Sequence, residues 1–98
     1  MPAKRKKQLE WSRSAARDLL HIEDYIAKDN QIAADAVVAY IRQGTLLLES
    51  DPLIGKRRLT SPYRELVLTR FPFSIVYRVR GNSVFIVRVL HQRMMFSR

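Results

Sequence analysis

Two apolar runs that meet at Gly81-Asn82 constrain this chain more than anything else in it. Both residues of that pair tolerate positive φ, so Phe73 to Arg80 and Val84 to His91 are predicted to form a tight β-hairpin. The second run is apolar on both faces, with Val84, Ile86 and Leu90 alternating against Phe85, Val87 and Val89. A strand of that kind belongs inside a sheet, with a neighbour on each edge. Tyr63 to Thr69 supplies the strand before it, placing Arg64, Leu66 and Leu68 on one face and Glu65 and Val67 on the other. Pro72 punctuates between them, and the three strands read as an antiparallel β-meander.

The cover for that sheet lies in the first half. Lys7 to Trp11 reads as an opening strand, and Ser12 is placed to cap the helix that follows. To about Lys28, Ala15, Ala16, Leu19, Ile22 and Ile26 recur at three- and four-residue steps, one face of an amphipathic helix. Asp29-Asn30 breaks it. A second helix spans about Ile32 to Glu49, striped by Ala33, Ala36, Val37, Tyr40, Ile41, Gly44, Leu47 and Leu48. The short connection makes the pair an antiparallel helical hairpin. Gly44 costs a helix about 1 kcal/mol relative to Ala, so a close approach to the first helix or the sheet is expected there. Pro52 and Gly55 end the helical region. The architecture predicted is α+β: opening strand, helical hairpin, then meander, with the helices packed on a twisted sheet. In the core, Leu19, Ile22, Ile26, Val37, Ile41 and Leu48 are expected to meet Leu66, Ile75, Tyr77, Phe85, Val87 and Val89.

With 98 residues and 47% apolar content, the chain suits one globular domain, here 1–98. Residues 1–6 read as a flexible basic N-terminus and 94–98 as a C-terminal tail. No apolar run approaches the roughly 18 residues of a membrane span. The basic start is followed by Gln8-Leu9-Glu10-Trp11 rather than an apolar stretch, so no secretory signal is read there, and a cytoplasmic location is expected. The chain has no cysteine, hence no disulfide or thiolate zinc site. Neither a cofactor nor a metal is expected.

Charge is divided unevenly. Overall 18 Lys+Arg stand against 9 Asp+Glu, a net charge of +9. Residues 1–55 are balanced, whereas 56–98 hold Lys56, Arg57, Arg58, Arg64, Arg70, Arg78, Arg80, Arg88, Arg93 and Arg98 against Glu65 alone. Arginine forks suit phosphates and carboxylates, so a polyanionic partner is implied, either nucleic acid or an acidic protein segment. A small basic nucleic-acid-binding module is one function that fits.

A sharper reading comes from several segments taken together: Trp11-Ser12 with Ala15, Asp18-Leu19 and Ile22; Asp24-Tyr25-Ile26-Ala27; Asp51-Pro52-Leu53-Ile54-Gly55; Tyr63-Arg64-Glu65-Leu66; Ile75-Val76-Tyr77-Arg78-Val79; and Val87-Arg88-Val89-Leu90-His91-Gln92-Arg93. In this order, over about residues 9–93, they resemble the RelE/ParE family of bacterial toxins, closer to its ParE-like members. The resemblance implies the toxin of a type II toxin–antitoxin system, neutralised by a cognate antitoxin. ParE-type members poison DNA gyrase by binding it. RelE-type members cleave mRNA in the ribosomal A site, which makes ribosome-bound mRNA the alternative target and a metal-independent endoribonuclease the alternative activity.

Chemistry separates these two. Metal-free RNA cleavage needs acid–base groups and fixed cations on the phosphate. His91 matches the histidine of the related nucleases, and Arg64, Arg78 and Arg93 could hold phosphate, so these four form the nuclease candidate. The related enzymes also carry a glutamate after a Gly-Lys turn and a tyrosine beside the histidine. Here Arg57-Arg58 follows Gly55-Lys56, and Gln92 adjoins His91. The first reading is therefore a non-enzymatic inhibitor of gyrase, with Arg64, Arg78, Arg88, Arg93, Met94, Met95 and Phe96 as its binding surface. Its antitoxin should present an anionic, amphipathic segment. His91 then has a structural role at the edge of the core, and Tyr63 and Tyr77 are core aromatics with hydroxyls in water.

Overall fold

The structure, a computed structural model, describes residues 6–92. Most of the expected N-terminal segment lies outside those residues. So do Arg93, Met94, Met95 and Phe96. In chain order the elements are β1 (Gln8–Trp11), α1 (Arg13–Ala27), α2 (Gln31–Ser50), β2 (Lys56–Arg57), β3 (Arg64–Val67), β4 (Phe73–Arg80) and β5 (Ser83–His91). They form one sheet of order β1-β5-β4-β3-β2, in which β1 runs parallel to β5 and the other pairs are antiparallel. Two helices on one mixed five-stranded sheet is the α+β layering predicted, with β5 flanked on both edges.

Local chemistry sets the boundaries. Ser12 Oγ accepts from Ala15 N at 2.9 Å, and Asn30 Oδ1 accepts from Ala33 N at 3.0 Å, each satisfying a free amide of a first turn. Gly81 takes φ +57°, while Asn82 does not turn positive, so the hairpin has the type II′ pattern with glycine in the first central position. The two-residue β2 is an addition to the predicted elements. It is too short to show a period, and its exposed cations suit a sheet edge.

Both helices cover the same face. Ala15, Leu19, Val37, Ile41 and Leu48 pack with Leu68, Phe73, Ile75, Tyr77, Val84, Ile86 and Val89 in one core, and Ile22, Ile26 and Leu66 border it. A Cβ on Gly44 would stand 3.0 Å from both Ile75 Cδ1 and Leu68 Cδ2. The close approach is therefore to the sheet.

One expectation about the core is corrected. The helix-facing residues of β5 are Val84, Ile86 and Val89, not Phe85, Val87 and Val89. Arg88 lies opposite Val76 but Ile86 lies opposite Tyr77, so Val87 is an extra residue, a β-bulge that shifts the alternation by one. The bulge sits where β1 ends and α1 begins. There Ser12 N donates to Ile86 O, Ser12 Oγ donates to Val87 O at 2.8 Å, and Val89 N donates to Asp18 Oδ2 at 3.0 Å. The start of α1 thus completes the edge of β5 that β1 is too short to reach.

Candidate functional site

Strand register sorts the candidate residues onto two faces. Arg64 pairs with Tyr77 and His91 with Phe73, so both stand on the helix side of the sheet. Arg78 pairs with Phe85 and Arg88 with Val76, on the side without helices. His91 sets its ring edge-on to Phe73, with centroids 5.2 Å apart and planes at 83°. The strand from Phe73 to Arg78 covers ~16 Å. His91, Arg64 and Arg78 are therefore not brought to one phosphate-sized point.

The arginines also differ in what they hold. Arg64 Nη1 donates to Gly55 O at 2.9 Å and to Leu53 O at 3.3 Å, pinning the loop after α2. Arg88 makes a two-pronged bond to Asp18, Nε to Oδ2 at 2.7 Å and Nη2 to Oδ1 at 2.9 Å. The hydrogen-bonded carboxylate raises the guanidinium pKa further above its ordinary value, against a smaller opposing effect of burial. Arg58 reaches Glu65 at a looser 3.4 Å. The side chains of Arg78, Arg80 and Lys56 make no hydrogen bond or ion pair with another described residue, and all three lie on the helix-free face or its edge. That face also carries Val67, half exposed, with Phe85 and Leu90 partly so. Cations beside apolar strand residues can hold an acidic, partly apolar chain, or the rim of a larger protein.

Three contributors escaped the sequence reading. Asp18 is the partner of Arg88, and only the fold brings these residues together. The Tyr77 hydroxyl is not in water: it donates to Pro52 O at 2.7 Å and accepts from Gly55 N at 2.8 Å, and burial pushes its pKa up. The Tyr40 hydroxyl accepts from Thr69 N at 3.2 Å and Arg70 N at 3.0 Å, and the Arg70 amide leads in lowering its pKa. An aromatic at each position was legible as packing, but the hydroxyl's partner was not.

Among the described residues, no three His, Asp or Glu side chains come together as metal ligands. No helix of the described residues is long and apolar enough to cross a membrane.

Solved structures with this arrangement include toxin folds. The chromosomal ParDE toxin–antitoxin system of Pseudomonas aeruginosa contains a chain that is 30% identical, with a TM-score of 0.77 over 88% of this chain and 96% of that one. A chain of the RelBE2 toxin–antitoxin complex of Mycobacterium tuberculosis shares the fold at 20% identity and a TM-score of 0.63, over 93% and 97% of the two chains. A conserved Helicobacter pylori protein does so at 17% identity and 0.57, over 92% and 99%. Among curated sequences, Y4kP of Sinorhizobium fredii, described as a candidate toxin, is 37% identical over 88% of each chain. Residues 9–96 match the model of the ParE toxin of type II toxin–antitoxin systems, parDE. This protein belongs to the ParE toxin family.

Proposed function

We propose that the protein arrests growth by binding DNA gyrase, and that a cognate antitoxin with an anionic, amphipathic segment neutralises it. The observation that carries the choice of binding over catalysis is the division of His91 and Arg64 from Arg78 across the sheet. An RNA-cleaving site needs its acid–base group and its phosphate-holding cations within hydrogen-bond reach of one phosphodiester. Here the histidine is packed on Phe73 and Arg64 is engaged by loop carbonyls. The helix-free face, with Arg78 and Arg80, is the surface we assign to the target, and Arg93, Met94, Met95 and Phe96, outside the described residues, are proposed to bind it as well. The antitoxin follows from family membership and from the excess of cations in residues 56–98.

The test runs purified protein in a gyrase supercoiling reaction and, in parallel, on ribosomes programmed with mRNA. Inhibited supercoiling with intact mRNA is the expected result. A-site cleavage that vanishes in His91→Ala, with supercoiling untouched at micromolar protein, would overturn it in favour of a RelE-type endoribonuclease.

A further inference from the structure

The segment 51–55 is held far more firmly than a surface connection requires. Asp51 N bonds to Leu47 O, and Ile54 N to Asp51 O at 3.2 Å. Tyr77 Oη bridges Pro52 O and Gly55 N, and Arg64 Nη1 takes Leu53 O and Gly55 O. Gly55 lies so close on the tyrosine that a Cβ there would stand 2.5 Å from Tyr77 Oη. Two side chains of the sheet, one of them fully buried, are thus committed to fixing one loop.

That loop presents apolar side chains to solvent. Leu53 is 65% exposed and Ile54 49%, and shortly before them in the chain Leu46 (54%) and Leu47 (44%) are exposed near the end of α2. Asp51, Pro52, Leu53 and Ile54 line an open cleft of ≈ 540 Å³. Single exposed leucines are ordinary, but Leu53 and Ile54 lining a cleft, with Leu46 and Leu47 exposed at the end of the preceding helix, mark an interaction site. On its far side follow Lys56 and Arg57, exposed and without an ion pair among the described residues.

We infer that this clamped loop, with the end of α2 and the Lys56–Arg57 edge, docks the anionic amphipathic segment of the antitoxin. Apolar residues of that segment sit on Leu46, Leu47, Leu53 and Ile54, and its acids meet Arg57, which register places on the helix side with Arg64, and reach Lys56 around the sheet edge. A second copy of this chain fits poorly, because it brings the same cations with it. A partner that orders on binding suits a rigid template, since the ordering cost then falls on one side only. The inference rests on the antitoxin reading above.

The experiment co-expresses the full chain with a candidate antitoxin, the product of a small reading frame sought beside its gene, and measures affinity and growth. Leu53→Asp and Ile54→Asp are expected to weaken binding by about tenfold or more. Both variants remain toxic and escape neutralisation. Lys56→Ser with Arg57→Ser is expected to flatten the salt dependence of binding. Should the aspartate variants melt early, amide hydrogen exchange on the wild-type complex decides, with slowed exchange over 46–58 as the expected footprint. Unchanged affinity in both aspartate variants, or protection that leaves 46–58 untouched, overturns the docking surface alone. A neighbour that fails to bind even the wild-type chain overturns the antitoxin reading, and this inference with it.

Discussion

An arginine's role in this protein depends on what the fold places within reach of its fork. Arg88 is spent on Asp18, and Arg64 on two backbone carbonyls, whereas Arg78, half-buried opposite Phe85 on the helix-free face, has no side-chain partner among the described residues. His91 belongs with the packed residues: His91→Ala should leave supercoiling inhibition within a few-fold of wild type and lower stability by about 1 kcal/mol, through the lost edge contact with Phe73. A thermal melt and a supercoiling titration check both halves. The two bonded tyrosines separate by pH. Burial raises the pKa of Tyr77 above the ordinary 10.0, so the native state keeps its proton longer than the unfolded chain does. Its contribution to stability is therefore full below pH 10 and falls as pH rises through the native value. Tyr40, whose pKa is lowered by backbone amides, gives the opposite slope and should ionise first. Phenolate absorbance followed in Tyr77→Phe and Tyr40→Phe assigns the two steps. Tyr77→Phe should in addition cost about 1–3 kcal/mol at neutral pH, because Pro52 O and Gly55 N lose their partner.

Elements were legible where several residues repeat one signal. The helical stripes, the Ser12 cap, the Gly81-Asn82 turn and the inner place of β5 all followed from periodicity and turn chemistry. The faces of β5 did not, because one bulged residue inverts every alternation beyond it, and the groups that bond there are the N-cap serine of α1 and an aspartate of that helix. Nor did the uses of Arg64 and Arg88, whose partners stand 9 and 70 residues away in sequence. The candidate surface was readable as composition and became a geometry only when register assigned faces. The second helix offers the clearest check on the packing. Ile41 is fully buried at the centre of the core, so Ile41→Ala should cost about 2–5 kcal/mol and abolish toxicity through unfolding. A melt that matched wild type would mean that α2 presents another face to the sheet.

At the scale of the whole molecule, a balanced first half carries a strongly cationic second half, and the two are layered as helices over sheet. Under the gyrase reading, Arg78→Glu and deletion of Met94 to Arg98 should each weaken supercoiling inhibition by about tenfold, while the melting temperature stays near wild type. Equal inhibition by both variants would move the target surface elsewhere on the molecule. Raised salt should slow association with the anionic antitoxin segment.

The pairing of β1 with β5 also orders events in time. Gln8 lies opposite Ser83 and Trp11 opposite Ile86, so β1 waits for β5, some seventy residues later in the chain. A ribosome adds about 5–20 residues per second. Until β5 is made, β1 has no partner in the sheet and the core lacks Val84, Ile86 and Val89. A chain that stops before Val89 therefore lacks the full inner strand to which both β1 and β4 bond, and with it part of the core.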